Sequence, residues 1–480
     1  MTTAVPALAD AHVLVVGLGV TGTAVVEALT GRARAITTLD AGGGADFADD
    51  SAVDLADIDV IVASPGWQPR SDIFVRADLL EIPIWSEVEL SWRLRVAGTR
   101  TGKPAAWLAV TGTNGKTTTA LMTGAILDAA GVPHAVVGNV GTPLITAALD
   151  PALEVLVVEL SSFQLHFTHS LQAHAAAVLN LAEDHLDWHG SMAAYAAAKA
   201  KIFAGVTGAL VYPVGDEAIT AMVREADVTD GARAIGFTLG APGPGEIGLV
   251  ESIIVDRAFH ADPADPLRHR SSEEIGTLDD LGHLGGADGS IPSHVIRNAL
   301  AAAALARSVG VPAGDVSEGL SSFHPGHHRI ETIAAIGGVR YIDDSKATNP
   351  HAARAALLAQ VDGSAVWIAG GLTKGVSFDD LVIEVGRKLR AAVVIGRERG
   401  QIVEALRRHA PHIPTLEADD SDTDMVMSSA VELAAGVARP GDVVLLAPAC
   451  ASMDQFRSYA HRGQAFASAV SRLAEATGAR

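Results

Sequence analysis

A short apolar run that stops at a glycine-rich turn constrains the fold of this chain more than any other feature. Residues 106–119 read Ala-Trp-Leu-Ala-Val-Thr-Gly-Thr-Asn-Gly-Lys-Thr-Thr-Thr. The pattern predicts a buried strand, a tight loop and the first turn of a helix, where backbone N–H groups and the helix dipole attract phosphate. Lys116 would add a positive charge, and Thr117 is placed to offer its hydroxyl to Mg²⁺.

This loop departs from the usual P-loop spacing in one position. Val110 stands where the pattern G-x-x-x-x-G-K has its first glycine. An ordinary turn before a helix is the alternative interpretation. The run from Gly112 to Thr118 combines two glycines, a lysine and hydroxyl side chains, and this density favours ATP binding.

Composition restricts the classes of function. The chain has 480 residues, of which 49% are hydrophobic, so two to four domains with their own cores are expected. A formal charge of −21 argues against binding to nucleic acid or an anionic membrane, which require basic surface. Cys450 is the one cysteine, which excludes an internal disulfide and favours a reducing compartment. With no basic N-terminal start and no apolar run long enough to insert into a membrane, we expect a cytoplasmic enzyme.

Strands and helices alternate along the chain in three blocks. Such alternation is typical of α/β domains with mainly parallel sheets, which bind ligands at the carboxyl ends of their strands. A region rich in glycine and proline, 240–290, predicts hairpins and surface loops in the second block. The predicted strands are 12–17, 35–39 and 59–63 in the first block, 106–111, 155–159, 175–181 and 209–212 in the second, and 340–343, 365–369, 391–395 and 442–446 in the third.

A second glycine motif lies near the start of the chain. Gly17-x-Gly19-x-x-Gly22, with Asp40 about twenty residues later, matches the dinucleotide fingerprint. By itself the motif is compatible with an NAD site, with the diphosphate of another nucleotide, or with close strand–helix packing. An ATP loop in the next block makes a dehydrogenase less favoured, so the motif indicates only a phosphorylated ligand near the first strand–helix turn.

Polar residues follow two strands of the second block. Glu159 ends an apolar strand beside the predicted phosphate loop, which is where a Mg²⁺ ligand is expected. The alternative is a helix cap, which suits Ser161 better. The segment 184–189 holds two aspartates and two histidines, of which one histidine is a plausible Mg²⁺ ligand and two would be unusual. Lys199 lies on an alanine-rich helix, and the pattern alone predicts a solvated charge.

Three loops of the third block each follow a predicted strand. They begin at Asp344, at Gly370 and at Ala447, and they carry lysine, threonine and serine side chains. Because the carboxyl ends of parallel strands meet at one edge of a sheet, we expect these loops to lie together. Each could be an ordinary turn, but together they predict a site for anionic groups.

These motifs, in this order, resemble the Mur ligases of peptidoglycan synthesis. The loop Gly112-Thr-Asn-Gly-Lys-Thr-Thr118 is shared by several Mur ligases and by folylpolyglutamate synthase. Four further segments resemble the members that add D-glutamate: Gly17–Gly22, Glu159–Gln164, Asp344–Asn349 and Ala449–Phe456. The resemblance covers nearly the whole chain. It implies three α/β domains: a Rossmann-like UDP-substrate domain (1–100), a P-loop-type ATP domain (101–325), and a Rossmann-like domain (326–480) that binds the amino acid and closes on ATP.

The resemblance also implies roles for individual residues. ATP would be held by Gly112, Thr113, Asn114, Gly115, Lys116, Thr117, Thr118, Asn298, Arg329 and Asp344. Two Mg²⁺ ions would be held by Thr117, Glu159, His185 and Lys199, with Lys199 carbamylated by CO₂ and so changed from a cation into an oxygen ligand. The UDP-substrate would contact Val20, Thr21, Asp40, Ser64, Gly66 and Asn139. The amino acid would contact Lys346, Thr348, Lys374, Ser452 and Tyr459. Lys116, Asn139, Glu159, His185 and Lys199 would form the catalytic group.

The reaction implied is ATP-dependent amide formation between UDP-N-acetylmuramoyl-L-alanine and D-glutamate through an acyl phosphate. It serves cell-wall biogenesis, cell shape and cell division, and we expect a monomer. Three positions depart from the family pattern: Val295 in His294–Asn298, Leu372 where some relatives carry Asp, and the residue after Asp40, which is not arginine. An NAD-dependent oxidoreductase, a folylpolyglutamate synthase-like ligase and a non-catalytic nucleotide sensor are the competing interpretations.

Overall fold

Three β-sheets organise the chain in the computed structural model. The structure describes residues 7–477 except 286–289, 325–327, 329, 374 and 420–424. The chain is divided into two compact units. The first comprises Met1–Leu181, Trp188–His283 and Val295–Phe323, and the second comprises Ala182–Asp187, Leu284–His294 and His324–Arg480.

The first sheet is parallel throughout and has the order β2-β1-β3-β4. Its strands are β1 (His12–Val16), β2 (Ala35–Leu39), β3 (Val60–Ala63) and β4 (Ile84–Ser86). Its helices are α1 (Val20–Leu29), α2 (Asp72–Leu79) and α3 (Glu87–Leu94). Apolar strand residues bury against the helices on both faces, as expected for a parallel sheet.

The second sheet has the order β13-β12-β11-β10-β9-β8-β5-β7-β6 and is parallel except at β12 and β13. Its strands are β5 (Ala106–Thr111), β6 (His134–Gly138), β7 (Val155–Glu159), β8 (Ala175–Val178), β9 (Ala209–Pro213), β10 (Arg233–Phe237), β11 (Glu246–Val250), β12 (Ile253–Asp256) and β13 (Glu273–Thr277). The helices are α4 (Lys116–Ala129), α5 (Leu144–Ala148), α6 (Ser162–His166), α7 (Leu186–His189), α8 (Met192–Ala200), α9 (Glu217–Glu225), α10 (Ser293–Ser308) and α11 (Ala313–Ser322).

The third sheet has the order β14-β15-β19-β16-β17-β18 and is parallel except at β14. Its strands are β14 (Glu331–Ile336), β15 (Val339–Asp343), β16 (Ala365–Gly370), β17 (Leu389–Ile395), β18 (Thr415–Glu417) and β19 (Val443–Leu446). The helices are α12 (Pro350–Leu358), α13 (Asp379–Val385), α14 (Gly400–His409), α15 (Val426–Val437) and α16 (Tyr459–Thr477). Two apolar clusters, one on each face, form its core.

The predicted fold class, three mainly parallel sheets with flanking helices, is confirmed. The hairpins predicted within 240–290 are the antiparallel strands β12 and β13 at the edge of the second sheet. The domain boundaries at residues 100 and 325 stay predictions. In the described residues, none of the helices is both long and apolar enough to cross a membrane.

Buried carboxylates on α3 attach the first sheet to the second within one compact unit. Glu89 accepts hydrogen bonds from the backbone N–H groups of His169 and Ser170, both at 2.8 Å, and from Nε of Arg93 at 2.7 Å. Glu87 accepts from the backbone N–H of Ile145 at the start of α5, at 3.2 Å. Burial raises the pKa of Glu87 to about 7, although the α5 N–H groups oppose this shift.

We expect Glu87→Gln to stabilise the protein at alkaline pH. The pKa of Glu87 is raised in the folded state, so its favourable contribution is complete below about pH 4.5 and is lost as pH rises through about 7. Above that pH, the neutral amide should add up to about 3 kcal/mol to the free energy of unfolding. Thermal unfolding of both proteins at pH 5 and pH 8.5 measures this. The prediction would be contradicted if the melting temperatures of Glu87→Gln and the wild type differed by the same amount at both pH values.

Candidate active site

The predicted phosphate loop lies between β5 and α4, as the sequence indicates. Gly115 caps α4 with a φ of +83°, a conformation that favours glycine. A Cβ at this position would lie 2.4 Å from Oδ1 of Asn298 on α10, so the loop and the predicted adenine-side residue are in close contact. Sequence reasoning did not single out Asn180. Its Oδ1 accepts a hydrogen bond from the backbone N–H of Asn114 at 2.8 Å, and its Nδ2 donates to the Asn114 carbonyl at 3.0 Å.

Lys116 folds back over this loop. Its Nζ donates to the carbonyls of Gly112 at 2.8 Å and Thr113 at 2.9 Å. Thr117, in the first turn of α4, is buried. The loop therefore brings a lysine ammonium and a threonine hydroxyl to the N-terminus of a fourteen-residue helix, which is a suitable arrangement for anionic phosphate.

Glu159 ends β7 directly beside β5, since Glu159 pairs with Val110 in the sheet. Its side chain is 1% exposed. Oε1 accepts from Nδ2 of Asn139 at 3.0 Å, so two predicted catalytic residues are in contact. Oε2 is buried and has no hydrogen-bond partner among the described residues. A buried carboxylate oxygen without a donor is the kind of ligand that a hard divalent cation accepts, so the residues present fit Mg²⁺.

Lys199 contacts the same phosphate loop from α8. It is buried, which corrects the expectation of a solvated charge drawn from its alanine-rich helix. Nζ donates to the carbonyl of Gly112 at 2.9 Å and to Oγ1 of Thr111 at 3.3 Å, and it lies 4.6 Å from the ring centroid of Tyr195. The Tyr195 hydroxyl in turn contacts Oγ1 of Thr113 at 3.1 Å.

The two histidines of segment 184–189 have different surroundings. His189 is engaged within the first compact unit, where Nε2 contacts Oγ of Ser162 at 2.9 Å and the ring stacks on Phe163. His185 belongs to the second compact unit and has a φ of +56°, which is uncommon for a residue other than glycine. Its Nε2 lies 3.5 Å from Oδ2 of Asp184. The assignment of His185 to a second metal site stays a proposal.

The three loops predicted in the third block lie at one sheet edge. Strands β15, β19 and β16 are adjacent and parallel, so the segments that follow them share the carboxyl edge. Nζ of Lys346 lies 3.8 Å from the ring centroid of Tyr459, and Ser452, in the last loop, is buried. Thr348 is partly buried. Lys374 and Arg329 lie outside the described residues.

A second cluster of potential ligands lies in the second unit, and sequence reasoning missed it. His328, Glu331 and Asp343 bring one ligand atom each within 4.8 Å of one another. Nδ1 of His328 contacts Oδ2 of Asp343 at 2.6 Å, and Oδ1 of Asp343 accepts from the backbone N–H of Ser345 at 2.8 Å. Asp344, the predicted ribose-side residue, is the next residue after Asp343 and is also buried.

Five of the six predicted UDP-substrate residues lie at the carboxyl edge of the first sheet, and the sixth, Asn139, directly follows β6 in the second sheet. Asp40 accepts from the backbone N–H groups of Leu18 and Gly42, and these two bonds lower the pKa of its carboxyl. Oγ of Ser64 donates to the carbonyl of Gly17 at 3.0 Å. Val20, at the start of α1, is 80% exposed. Thr21 is partly exposed and Gly66 is exposed.

The third glycine of the first motif has a packing role. A Cβ on Gly22 would lie 1.8 Å from the carbonyl oxygen of Gly17, so α1 approaches β1 too closely for any side chain there. The close-packing explanation of the fingerprint therefore holds at this position.

Comparison with known families and proteins gives one consistent result. Residues 110–306 match the Mur ligase middle domain, and residues 328–450 match the Mur ligase glutamate ligase domain. The chain belongs to the Mur ligase family. A UDP-N-acetylmuramoylalanine–D-glutamate ligase of Streptomyces coelicolor is 50% identical, over 96% of this chain and 98% of the relative. A protein of the same name from Mycolicibacterium vanbaalenii is 45% identical over 97% and 99%.

Solved Mur ligase structures share the fold. The chain matches UDP-N-acetylmuramate-alanine ligase MurC of Thermotoga maritima with a TM-score of 0.55 and 17% identity, over 97% of this chain and 100% of that structure. It matches a pseudomurein peptide ligase type C of Methanothermus fervidus with a TM-score of 0.56 and 14% identity, over 97% and 100%. These structures show the shared fold, and the domain matches and the relatives at 45–50% identity confirm the family resemblance drawn from the motifs.

Proposed function

We propose that this Mur ligase joins D-glutamate to UDP-N-acetylmuramoyl-L-alanine at the expense of ATP, in peptidoglycan precursor synthesis. Relatives named for this activity match the chain over nearly their whole length, in agreement with the ligase predicted from the motifs. The observation that carries the proposal is the juxtaposition of the Gly112–Thr118 loop with Glu159 on the neighbouring strand. An oxidoreductase would leave this phosphate loop unexplained.

Charge neutralisation dominates the chemistry of this reaction. The alanyl carboxylate attacks the γ-phosphorus of ATP, ADP leaves, and an acyl phosphate forms. The deprotonated amine of D-glutamate then attacks the acyl carbon. The tetrahedral intermediate loses a proton from this nitrogen and expels phosphate, which leaves the amide. Lys116 and the N-terminus of α4 would hold the triphosphate and stabilise negative charge as it moves to the leaving oxygen.

Several side chains would orient the reactants. Asn139 fixes the Glu159 carboxylate through their 3.0 Å hydrogen bond and would contact the UDP-sugar. Asn298, packed against Gly115, would contact adenine, with Arg329 and Asp344 on the ribose side. Val20, Thr21, Asp40, Ser64 and Gly66 would hold the uridine diphosphate. Lys346, Thr348, Lys374, Ser452 and Tyr459 would hold D-glutamate.

We propose that Mg²⁺ binds here in two positions. Thr117 and Glu159 would hold one ion, and His185 with a carbamylated Lys199 would hold the other. Bound Mg²⁺ would supply positive charge next to the phosphate oxygens. The side chain of Glu159 supports the first position, because its buried Oε2 accepts no hydrogen bond from the described residues and is available as a metal ligand. The second position rests on the burial of Lys199 beside the phosphate loop and on the family resemblance.

We expect Glu159→Gln to weaken Mg²⁺ binding at this loop. The amide loses the negative charge at the buried Oε2, so the Mg²⁺ concentration for half-maximal binding should rise by a factor of about ten or more. Calorimetric titration of Mg²⁺ into protein with a non-hydrolysable ATP analogue measures this without turnover. Glu154→Gln is the matched control, because Glu154 lies just before the other end of the same strand. It should leave the Mg²⁺ concentration for half-maximal binding unchanged. Equal affinities in the wild type and Glu159→Gln would contradict the assignment.

One assay tests the proposed function. Phosphate release from ATP is measured with UDP-N-acetylmuramoyl-L-alanine and, in separate reactions, D-glutamate, L-glutamate and other amino acids. We expect release only when both the UDP-substrate and D-glutamate are present. Release with a folate substrate in place of the UDP-substrate would favour a folylpolyglutamate synthase-like ligase, and binding of ATP without any turnover would favour a sensor.

Three further expectations accompany this function. The chain would work as a monomer in the cytoplasm, where the nucleotide precursor is made. The 326–480 domain would close on the ATP domain and exclude water from the acyl phosphate, which hydrolyses if exposed. The acidic charge argues against nucleic acid as a partner.

A further inference from the structure

Arg462 is the largest fully buried charged side chain among the described residues of the second compact unit, and neither the sequence motifs nor the proposed mechanism gives it a role. It lies in the first turn of α16 and is 0% exposed. Burial lowers the pKa of its guanidinium to about 10, so it stays charged at neutral pH. Among the residues that the structure describes, no carboxylate forms a direct ion pair with it, and Asp343 and Asp454 attract it only at longer range. A buried cation without a direct ion pair requires another explanation.

The guanidinium instead binds three loops through their backbone and one hydroxyl. Nε donates to Oγ of Ser345 at 3.0 Å and Nη2 donates to the Ser345 carbonyl at 2.9 Å. Nη1 donates to the carbonyl of Cys450 at 3.1 Å, with a longer contact of 3.5 Å to the carbonyl of Gly370. These acceptors follow or end β15, β19 and β16, the three adjacent strands whose carboxyl ends form one edge.

The same loops carry the predicted amino-acid contacts. Ser345 directly precedes Lys346, and Cys450 comes two residues before Ser452. The Ser345 hydroxyl also donates to the carbonyl of Tyr459 at 2.8 Å, and the Tyr459 ring lies against Lys346. The acceptors Ser345 and Cys450 are therefore one and two residues away, along the chain, from groups expected to touch the substrate.

The next residue on α16 supports the same arrangement. A Cβ on Gly463 would lie 2.2 Å from Nδ1 of His328 and 2.6 Å from Oδ2 of Asp343. The helix therefore approaches this sheet edge as closely as a backbone without a side chain allows. Asp343 accepts from the backbone N–H of Ser345, so the Ser345 loop is fixed by Asp343 and by Arg462.

We propose that Arg462 is a positioning residue for the D-glutamate site, which holds the loops after β15, β16 and β19 in the relative placement that Lys346 and Ser452 need. The proposal rests on the proposed function. The planar guanidinium of Arg462 donates to several acceptors at once, and a lysine ammonium on a flexible side chain does not reproduce this arrangement. Arg462 itself does not need to touch the substrate.

The test compares Arg462→Met and Arg462→Lys with the wild type in the phosphate-release assay. We expect the KM for D-glutamate to rise by about 10- to 100-fold in Arg462→Met, because displacements near 1 Å have effects of this size. The KM for the UDP-substrate should change by less than about threefold, since its proposed contacts lie on other loops. The KM for ATP should rise less than the KM for D-glutamate, because Asp344 is the proposed ATP contact next to Ser345, whereas Gly112–Thr118 and Asn298 lie in the other compact unit. Arg462→Lys should fall between the wild type and Arg462→Met.

Arg390→Met is the matched control. Arg390 forms a bidentate pair with Asp442 at the opposite, amino-terminal ends of β17 and β19, so its loss destabilises the same sheet without touching the three loops. We expect the melting temperature of Arg390→Met to fall by about as much as that of Arg462→Met, with no change in the KM for D-glutamate. If Arg462→Met does not fold, Arg462→Lys carries the test.

The outcomes separate the two proposals. A wild-type enzyme that does not depend on D-glutamate would overturn the proposed function. A wild type that depends on D-glutamate, with Arg462 variants that keep its KM or raise all three KM values equally, would overturn the positioning role and leave the proposed function intact. A rise in the KM for D-glutamate in Arg390→Met equal to that in Arg462→Met would also overturn it.

Discussion

Lys116→Ala should abolish ATP-dependent phosphate release while the protein stays folded. The substitution removes the one lysine ammonium that the phosphate loop itself carries, and the loss of one electrostatic donor from such a site lowers the rate on the order of 10³-fold. Stability should fall by only about 1 kcal/mol, because the Nζ hydrogen bonds to the carbonyls of Gly112 and Thr113 are partly exposed to water. Phosphate release and thermal unfolding measure the two effects.

A further variant separates charge from shape at the same position. Lys116→Met keeps most of the aliphatic stem and loses the ammonium, so we expect it to be as inactive as Lys116→Ala. Calorimetric titration with Mg²⁺ and ATP should show weaker binding in both. Full turnover in either variant would remove Lys116 from the proposed mechanism.

Lys199→Ala should be nearly inactive, and its rescue should depend on the chemistry of the added molecule. Lys199 is buried beside the phosphate loop, where a carbamate would offer oxygen ligands and an ammonium would only hold the loop carbonyl of Gly112. If the carbamate is the working form, a small carboxylate such as propionate should restore part of the activity. If the ammonium is the working form, a small alkylamine should restore it instead.

The control for Lys199 lies two residues away on the same segment. Lys201 is exposed and donates to the carbonyl of His166 rather than to the phosphate loop, so Lys201→Ala should keep nearly full activity. An active Lys199→Ala enzyme, or rescue by the amine alone, would exclude the carbamate. Depletion of CO₂ from the buffer should lower wild-type activity and leave the rescued variant unaffected.

Local patterns in the sequence predicted what depends on near neighbours along the chain. The strand, glycine turn and helix around Lys116 follow from apolar periodicity and from the φ that Gly115 must adopt. The shared edge of β15, β16 and β19 follows from strand–helix alternation, since parallel strands end together. The predicted strands therefore agree with the structure to within a few residues at most of their ends.

Contacts between residues distant in sequence were not predictable in this way. The pattern of α8 indicates a solvated Lys199, because nothing within the helix shows that its face packs on the phosphate loop. The sequence pattern does not indicate the strands β6 and β10 either, because their apolar runs are short. Arg462 lies in a run of polar and small residues, and only the fold shows that three loops meet its guanidinium.

The burial of Cys450 makes the chain convenient for spectroscopy. Its side chain is 1% exposed in the last of the three loops, and the sequence contains no other thiol. A nitroxide reagent should therefore leave the native protein almost unlabelled. Cysteines introduced at exposed positions, one in each compact unit, would report the distance between those units by pulsed electron paramagnetic resonance, with and without nucleotide.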